Sequence, residues 1–266
     1  MKRYDVDAVD RLYALAWGDS IHFGLYGDGV QSISAATRAA KNAMVEAAEL
    51  SAGKDVLEVG SGWGATARYL ADVVGCRVLA TNYSFRQAEI AARICAPQIA
   101  AGKIRLAMAD FHALPFDDGC FDTHWSQECM VHATDKARVF SEAFRVLRPG
   151  GRIVFSEQTT DVTRLSADER QRIVDRHGSD DLWSRDDFTH AIRSAGFTGV
   201  RAVDWTANMA RHFAELVRRI DRAEPSELDG IDDETLKHNR AMWQWGAELG
   251  SDARIGWAMF VGTKPA

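Results

Sequence analysis

The sequence predicts an α/β fold in which helices cover both faces of a seven-stranded, mostly parallel sheet. Short apolar runs of strand length recur along the chain from about residue 54, and longer stretches with helical spacing separate them. Strands that alternate with helices form βαβ units, whose right-handed crossovers produce a parallel sheet. The first of these strands also ends in a glycine-rich loop that opens a helix.

Length and composition suit one large soluble domain. The chain has 266 residues, of which 46% are hydrophobic and 26% are charged, so it can bury a substantial core. We therefore expect a single domain over residues 1–266. Its parts would be an N-terminal helical arm with lid helices (1–50), a central α/β core (51–157) and a C-terminal region (158–266) that holds a helical insertion at about 206–250 and a closing strand.

Charge and cysteine usage disfavour several classes of function. The net charge is -6 and no basic stripe is present, so we expect no nucleic-acid partner. No apolar run is long enough for a membrane helix, and the start, MKRYDVDAVDRLY, has acids where a signal peptide would be apolar. The four cysteines are scattered without a CxxC pair, which predicts buried free thiols, no bound metal and a cytoplasmic location. The cysteines are Cys76, Cys95, Cys120 and Cys129.

Seven segments are predicted as strands. In chain order they are DVLEV, RVLAT, IRLAM, FDTHWS, GRIVFSE, VRAVDW and IGWAMFVGT. Three helical stretches separate the first five, namely GATARYLADVV, SFRQAEIAARICAPQIA and TDKARVFSEAFRVL. Thr134 is the predicted N-cap of the third helix, and the Pro-Gly-Gly turn at 148–151 stops it.

The pattern becomes looser after residue 157. Ser184 is the predicted N-cap of a helix over SRDDFTHAIRSAGF. Residues 206–250 contain two further helical stretches, HFAELVRRI and ETLKHNRAMWQW, which form the expected insertion before the last strand.

Residues 57–64, LEVGSGWG, form the glycine-rich loop. Glycines permit a tight turn and leave room for a ligand, and the open helix N-terminus offers N–H groups to carboxylate or phosphate oxygens. A dinucleotide site would read GxGxxG and have an acid about 20 residues later. This chain has GxGxG, with Glu58 inside the strand and Asn82 in place of the acid. The pattern favours a Rossmann-like domain for a different cofactor.

Four stretches give the chain a resemblance to a known family. They are the arm residues 17–26 (WGDSIHFGLY), the glycine loop, residues 125–127 (WSQ) with His132, and the closing segment 255–260 (IGWAMF). By these residues the chain resembles the class I S-adenosylmethionine-dependent methyltransferases, in particular the sarcosine/dimethylglycine N-methyltransferases of glycine betaine synthesis. The resemblance covers nearly the whole chain. It implies an enzyme that uses S-adenosyl-L-methionine and releases S-adenosyl-L-homocysteine, with cofactor binding in the core and acceptor binding in region 158–266.

The resemblance also implies a set of cofactor-binding residues. Glu58 and the backbone of the three loop glycines would hold the methionine end, and Asn82 would face the ribose hydroxyls. Asp110 and Phe111, after the third strand, would bind adenine through a hydrogen bond and a ring contact. Gln87 is either a ribose or adenine neighbour or a solvated helix residue. The full expected set is Trp17, His22, Glu58, Gly60, Gly62, Gly64, Asn82, Tyr83, Gln87, Asp110, Phe111, Ser126 and Gln127.

His132 and Tyr26 are the expected catalytic residues. An amine acceptor has to lose a proton before it attacks a methyl group, and a histidine titrates close to neutral pH in model peptides. His132 would therefore accept that proton or hydrogen-bond the acceptor. The alternative is a histidine that only packs the loop.

Four residues are expected to contact the acceptor: Trp125, Glu128, Arg176 and Trp183. Aromatic faces attract ammonium groups, so the two tryptophans either form a cage or fill the core. Arg176 either clamps an acceptor carboxylate or forms a surface ion pair with Asp175 or Asp180. Glu128 stands where the betaine enzymes have an apolar stretch, which would suit a cationic or more extended acceptor.

The predicted function is N-methylation of a small amino-acid-like amine by direct in-line displacement, in which positioning supplies much of the acceleration. Methylation of oxygen, sulfur or carbon in a small metabolite is an alternative. Residues 60–66, GSGWGAT, also resemble lipid-modifying cyclopropane-forming enzymes, which the acidic charge disfavours. A non-catalytic S-adenosylmethionine sensor is the alternative from another class. The expected partner is a small-molecule methyl acceptor, with the chain a monomer or homodimer.

Overall fold

One seven-stranded sheet organises the chain. The computed structural model describes residues 7–266, so the first six residues of the expected arm, with one of the acids weighed against a signal peptide (Asp5), lie outside the described residues. The strands are β1 (Asp55–Val59), β2 (Arg77–Asn82), β3 (Ile104–Met108), β4 (Phe121–Gln127), β5 (Leu147–Thr160), β6 (Thr198–Asp204) and β7 (Ile255–Thr263). Their order in the sheet is β3-β2-β1-β4-β5-β7-β6. Strands β1 to β5 are parallel, and β7 is antiparallel to both of its neighbours.

This sheet confirms the predicted seven-stranded, mostly parallel Rossmann-like fold. In the described residues ten α-helices accompany it. They are α1 (Asp7–Trp17), α2 (Ile33–Ala47), α3 (Ala65–Tyr69), α4 (Phe85–Ile94), α5 (Ala96–Ala100), α6 (Lys136–Val146), α7 (Ala167–His177), α8 (Arg185–Ser194), α9 (Thr206–Asp221) and α10 (Asp233–Ser251). A π-helical turn at Leu70–Val74 continues α3, and short 3-10 turns lie at Met130–His132, Val162–Arg164 and Pro225–Leu228.

Side-chain caps fix where several helices begin. The predicted cap of α8 is confirmed, since the Ser184 side chain accepts the backbone N–H of Asp187. The Asp187 side chain in turn accepts the backbone N–H of Ser184, which completes a capping box. The predicted cap of α6 is wrong by one residue. Asp135, rather than Thr134, accepts the N–H of Arg138 at 2.9 Å.

Two local elements differ from the sequence prediction. The helix predicted over residues 84–100 is interrupted at Cys95, because Pro97 suits the first turn of a new helix and cannot donate within an old one. The turn predicted at 148–151 is a bulge inside β5. Leu147 pairs with Phe121 and Arg152 pairs with Thr123, so the intervening residues loop out opposite a single residue of β4.

The N-terminal arm and the helical insertion form one layer at the carboxyl ends of the strands. Helix α1 contacts both α9 and α10. The ring of Trp17 on α1 lies 4.8 Å from that of His212 on α9 and 6.5 Å from that of Trp243 on α10. These aromatic contacts, between residues about 200 positions apart or more, pack α1 against α9 and α10.

One buried cluster includes Trp17, Trp125 and Trp243. A second buried cluster lies where α6 and α8 pack against phenylalanines on β5 and β7. No helix among the described residues combines the length and the apolar composition needed to cross a membrane. All four cysteines are free thiols.

Candidate active site

The glycine loop has two kinds of glycine. A side chain at Gly60 would place its Cβ 2.2 Å from the Sγ of Cys129, and one at Gly64 would lie 2.6 Å from the Sγ of Cys95. These two glycines are therefore required by the packing of the chain itself. Gly62 has a φ of 53° and an added Cβ would meet no atom within 4 Å. The loop opens towards a ligand only at this middle position.

Glu58 presents a buried carboxylate oxygen to the site. The residue is 2% exposed, and its Oε2 has no hydrogen-bond partner among the described residues. Burial raises the pKa of Glu58 to about 8, which the charge of Lys41 partly counters. A buried polar atom without a partner is costly and rare, so this oxygen marks a place for a ligand donor.

Lys41 on α2 is a buried charge near Glu58 that the sequence did not reveal. It is buried, and its Nζ donates to the Oγ of Ser20 at 3.2 Å. Burial lowers the pKa of Lys41 below its usual range, and the carboxylates of Asp19 and Glu58 counter only part of this shift. One lysine on an amphipathic helix carries no motif, so only the fold places this charge beside Glu58.

Asn82 holds the glycine loop in shape. Its Oδ1 accepts the N–H of Gly62 at 3.1 Å, and its Nδ2 donates to the Oγ of Ser61 and the carbonyl oxygen of Gly62, both at 3.0 Å. Both polar atoms expected to face a ribose therefore bind the loop in this structure. The side chain positions the backbone of Gly62.

Gln127 carries a second buried atom without a partner. Its Oε1 accepts hydrogen bonds from Thr66 Oγ1 at 2.9 Å and Trp125 Nε1 at 3.2 Å. Its Nε2 is buried and has no partner within the described part of the chain. Gln127 and its buried neighbour Ser126 end β4 beside Glu58 and the loop, since β4 pairs directly with β1.

The residues expected at the adenine form an open rim. Asp110 is exposed, and its Oδ1 accepts both the backbone N–H and the Nδ1–H of His112 at 2.8 Å. The backbone hydrogen bond from His112 is the main cause that lowers the pKa of Asp110. The rings of Phe111 and His112 lie 4.7 Å apart. Tyr83 is exposed, and Gln87 is half-buried on α4.

A cavity of about 100 Å³ lies between the arm, the loop after β4, the end of β5, and helices α7 and α9. Five residues predicted from the sequence line it together: Trp17, His22, Glu128, His132 and Arg176. The lining residues that the sequence did not predict include Tyr13, Glu157, His177 and Phe213. Glu157 ends the predicted fifth strand, so its place at the ligand-binding edge was the available signal.

Three of the six residues predicted as catalytic or acceptor-binding do not line this cavity. Trp125 has no exposed surface and belongs to the core. Trp183 packs against Phe140 and Phe188 in the second cluster, and the Nζ of Lys136 lies 5.6 Å from its ring centre. The cage alternative for these two tryptophans is therefore corrected to core packing.

Tyr26 is the third predicted residue that the structure keeps away from the cavity. Its hydroxyl lies 2.9 Å from the Nδ1 of His212, and its backbone N–H donates to Asn208. Burial and the nearby Glu215 carboxylate raise the pKa of Tyr26 above its usual range. A phenol held protonated in this way is a poor proton acceptor, so Tyr26 is better described as support for the arm.

Two carboxylates with different environments face the cavity. Glu128 has a φ of 44°, and its Oε2 lies 2.9 Å from the Nδ1 of His22. Its Oε1 accepts hydrogen bonds from Ser156 Oγ and Trp257 Nε1. Glu157 is fully buried and accepts three backbone N–H groups. Burial and the charge of Glu128 raise the pKa of Glu157 to about 8.

His132 lies on the cavity wall in a defined tautomer. Its Nδ1 donates to the carbonyl oxygen of His177 at 2.7 Å, so the lone pair of the neutral ring is on Nε2. The indole N–H of Trp17 is buried without a hydrogen-bond partner among the described residues. The cavity thus combines polar groups with aromatic faces.

Comparison with known proteins identifies the kind of enzyme. The family model of a methyltransferase domain matches residues 57–155. The chain is 33% identical to the sarcosine/dimethylglycine N-methyltransferase of Halorhodospira halochloris, over 97% of this chain and 92% of that protein. The chain belongs to the sarcosine/dimethylglycine N-methyltransferase family. This confirms the prediction of an S-adenosylmethionine-dependent methyltransferase.

One further relative agrees with this assignment, and one solved structure shares the fold. The methyltransferase is 29% identical to the dimethylglycine N-methyltransferase of Parasynechococcus marenigrum, over 98% of this chain and 94% of that protein. The solved phosphoethanolamine N-methyltransferase 2 of Haemonchus contortus, in complex with S-adenosyl-L-methionine, superposes with a TM-score of 0.84 at 19% identity. That superposition covers 97% of this chain and 57% of the other, and it shows the shared fold.

The buried groups of the methyltransferase fit S-adenosyl-L-methionine. The Glu58 oxygen without a partner suits the ammonium group of the methionine part. The Nε2 of Gln127, on the neighbouring strand, offers a hydrogen-bond donor. The open position at Gly62 leaves space for a chain to lie against the backbone. When bound, S-adenosyl-L-methionine supplies a methyl group that is activated for transfer by its attachment to a sulfonium.

Proposed function

We propose that this methyltransferase N-methylates a small amine that also carries a carboxylate, as a glycine-type amino acid does. The observation that carries the proposal is the composition of the cavity. Glu128 contributes a carboxylate and Arg176 a guanidinium to the cavity wall, and aromatic rings line the same cavity. A zwitterion presents the opposite charges to these two groups.

The size and walls of the cavity support a small cationic acceptor. A volume of about 100 Å³ is well below the roughly 300–1,000 Å³ of drug-sized ligand sites. Tyr13, Trp17, Phe23 and Phe213 contribute rings whose faces attract an ammonium group. Such a site favours a compact amine over a lipid chain.

The residues that line the cavity support different roles for the core and for the regions on either side of it. We assign cofactor binding to residues 51–157, through Glu58, the glycine loop and Gln127. The arm and region 158–266 would enclose the acceptor, since both contribute to the cavity wall. His132 would hydrogen-bond the acceptor through Nε2, and closure of the arm over the site would exclude water.

Arg176→Lys should raise the KM for a carboxylate-bearing acceptor about tenfold, because an ammonium cannot form the two-pronged hydrogen bonds of a guanidinium. We expect a smaller change in kcat. Steady-state kinetics with N-methylglycine and with ethanolamine would measure the effect. Arg170→Lys, at an exposed position of the same helix, is the matched control. An equal rise in KM for both amines would contradict the carboxylate role.

Glu58→Gln should remove a pH dependence of cofactor binding. Glu58 has a pKa of about 8 in the free enzyme, so its proton has to leave before the carboxylate pairs with an ammonium group. The affinity for S-adenosyl-L-homocysteine should therefore rise with pH up to about pH 8, and binding at pH 7 should release roughly one proton.

Calorimetry in buffers of different ionisation enthalpy measures that proton release directly. Glu58→Gln should release no proton and bind about tenfold more weakly than the unmodified enzyme at pH 8. Glu46→Gln, an exposed glutamate on α2, should behave like the unmodified enzyme. Binding of the unmodified enzyme without proton release would rule out the pairing.

The decisive test of the proposed function uses methyl-labelled S-adenosyl-L-methionine with glycine, N-methylglycine, N,N-dimethylglycine, ethanolamine and a phenol. We expect label in at least one of the three amino acids and in neither of the other acceptors. Transfer to the phenol alone would replace amine methylation by oxygen methylation. Binding of the donor without transfer to any acceptor would support a sensor.

A further inference from the structure

We propose that His22, oriented by Glu128, accepts the proton that the acceptor amine has to lose before methylation. The sequence assigned His22 to the cofactor and Glu128 to the acceptor, but the structure joins them in one hydrogen-bonded pair. This inference rests on the proposed function, since it requires an amine acceptor that arrives as an ammonium ion.

The geometry of the pair defines which nitrogen of His22 is basic. The Nδ1 of His22 lies 2.9 Å from the Oε2 of Glu128, and the two side chains are 11% and 13% exposed. An ionised carboxylate only accepts hydrogen bonds, so Nδ1 carries the hydrogen. The lone pair of the neutral imidazole is then on Nε2. Because His22 lines the cavity, it is within the space that the acceptor enters.

Glu128 is fixed by donors on both oxygens. Its Oε1 accepts from Ser156 Oγ and from Trp257 Nε1, and its backbone N–H donates to the carbonyl oxygen of Ser156 at 2.9 Å. Its backbone lies in the left-handed region, with a φ of 44°. Non-glycine residues seldom adopt that conformation, and strain of this kind concentrates at functional sites. The loop is thus held in the conformation that directs this carboxylate at His22.

His132 is the other histidine with a defined tautomer in the cavity, and it is the weaker candidate. Its Nδ1–H donates to a neutral carbonyl oxygen, whereas that of His22 donates to a carboxylate. A carboxylate partner stabilises the imidazolium that forms when the ring accepts a proton. A neutral carbonyl does so much less. The two rings therefore have different tasks, with proton uptake at His22 and hydrogen bonding at His132.

The proton transfer is balanced within the pair and the acceptor. An N–H bond of the acceptor ammonium breaks, its electron pair stays on nitrogen as the lone pair that attacks the methyl carbon, and the proton bonds to Nε2 of His22. The resulting imidazolium is paired with Glu128. It returns its proton to solvent after the product leaves.

The charged and titratable groups around His22 come from several elements. Tyr13 is on α1, His132 follows β4, Glu157 lies near the end of β5, and Arg176 and His177 end α7. His212 on α9 also faces His22, and burial lowers the pKa of His212 to about 3, so it stays neutral. Glu128 is the carboxylate that lies within hydrogen-bond distance of His22, and burial together with the charge of Glu128 raises the pKa of Glu157.

Glu128→Gln tests the pair by changing a tautomer. Ser156 and Trp257 both donate, so the amide oxygen of the glutamine has to remain with them. The amide NH₂ then faces His22 and donates to Nδ1, which moves the imidazole hydrogen to Nε2. Nitrogen NMR of histidine-labelled enzyme should show His22 protonated on Nδ1 in the unmodified enzyme and on Nε2 in the variant. We expect kcat to fall about 10²- to 10⁴-fold.

His22→Asn removes the base but keeps the donor, because the asparagine Nδ2 can replace Nδ1 as the partner of Glu128. At pH 7 we expect a loss in kcat of about 100-fold or more. The loss should shrink towards alkaline pH, where the acceptor deprotonates in solution. His132→Asn should reduce kcat less and keep the original pH profile. The affinity of both His22 and Glu128 variants for S-adenosyl-L-homocysteine should stay within about twofold of the unmodified enzyme.

Matched controls are His238→Asn and Glu46→Gln, both at exposed positions, and the folded state of every variant is checked by circular dichroism. The inference is overturned if His22→Asn keeps its kcat at pH 7, if it loses cofactor affinity in the same proportion, or if Glu128→Gln leaves the hydrogen on Nδ1. If the unmodified enzyme methylates none of the amines, the proposed function fails, and the tautomer measurement still decides whether the pair exists.

Discussion

Gly62→Val should weaken the binding of S-adenosyl-L-homocysteine by more than about 100-fold, which corresponds to about 2.7 kcal/mol, while the protein stays folded. Gly62 is the loop glycine whose added Cβ meets no protein atom within 4 Å. The valine methyl groups would therefore occupy ligand space instead of clashing with the chain. Calorimetry measures the affinity, and thermal unfolding measures the stability.

Gly102→Val separates ligand contact from backbone strain. Gly102 has a φ of 70° and similarly open surroundings, but it lies between α5 and β3, away from the loop. Both variants carry the cost of a β-branched residue at positive φ. Only Gly62→Val should lose affinity. Gly60→Val is unsuitable, because its Cβ would collide with Cys129 and disturb the fold. Similar affinity in the Gly62 and Gly102 variants would remove Gly62 from the cofactor site.

The free enzyme should lose on the order of 3 kcal/mol of stability for each of two buried histidines as the pH falls from 6.5 to 4. Burial lowers the pKa of His124 to about 4 and that of His212 to about 3. In the unfolded chain both pKa values return to about 6.5. Between these limits the unfolded state binds more protons than the native state, so acid favours unfolding.

Urea denaturation between pH 4 and pH 7 measures this loss. His124→Leu should flatten the pH dependence by about half, since one of the two histidines is removed. It should also raise stability at pH 7 by about 1–3 kcal/mol, because neither ring nitrogen of His124 has a partner among the described residues. His190→Asn, at an exposed position on α8, is the control. An unchanged slope in His124→Leu would show that other groups govern acid unfolding.

The fold was largely predictable because local signals repeat along the chain. Apolar runs that alternate with helical stretches indicate each βα unit, the glycine loop marks the first of them, and parallel strands then leave few topologies. Local chemistry also explains what was missed. Pro97 divides the helix that periodicity predicts as continuous. At 148–151 strand β5 bulges, and its pairing with β7 continues from Arg152 onwards.

The site was predictable only where one segment forms it. Glu58 and Gly62 lie within a single βα junction, so their spacing gives their positions. The acceptor cavity instead joins residues as far apart as Trp17 and Phe213. Trp125 shows the difficulty, since its strand position is correct but its side chain points into the core. Periodicity cannot distinguish the two faces of a strand that is buried on both sides.

The contact between Gly60 and Cys129 links the two halves of the catalytic centre. Gly60 belongs to the glycine loop (the donor loop) and Cys129 to the loop after β4 (the acceptor loop), and a Cβ at position 60 would lie 2.2 Å from the Sγ of Cys129. Any attempt to engineer a new acceptor preference therefore has to retain a compact side chain at position 129. A larger one would push on the donor loop, so that a change intended for one reactant would disturb the other.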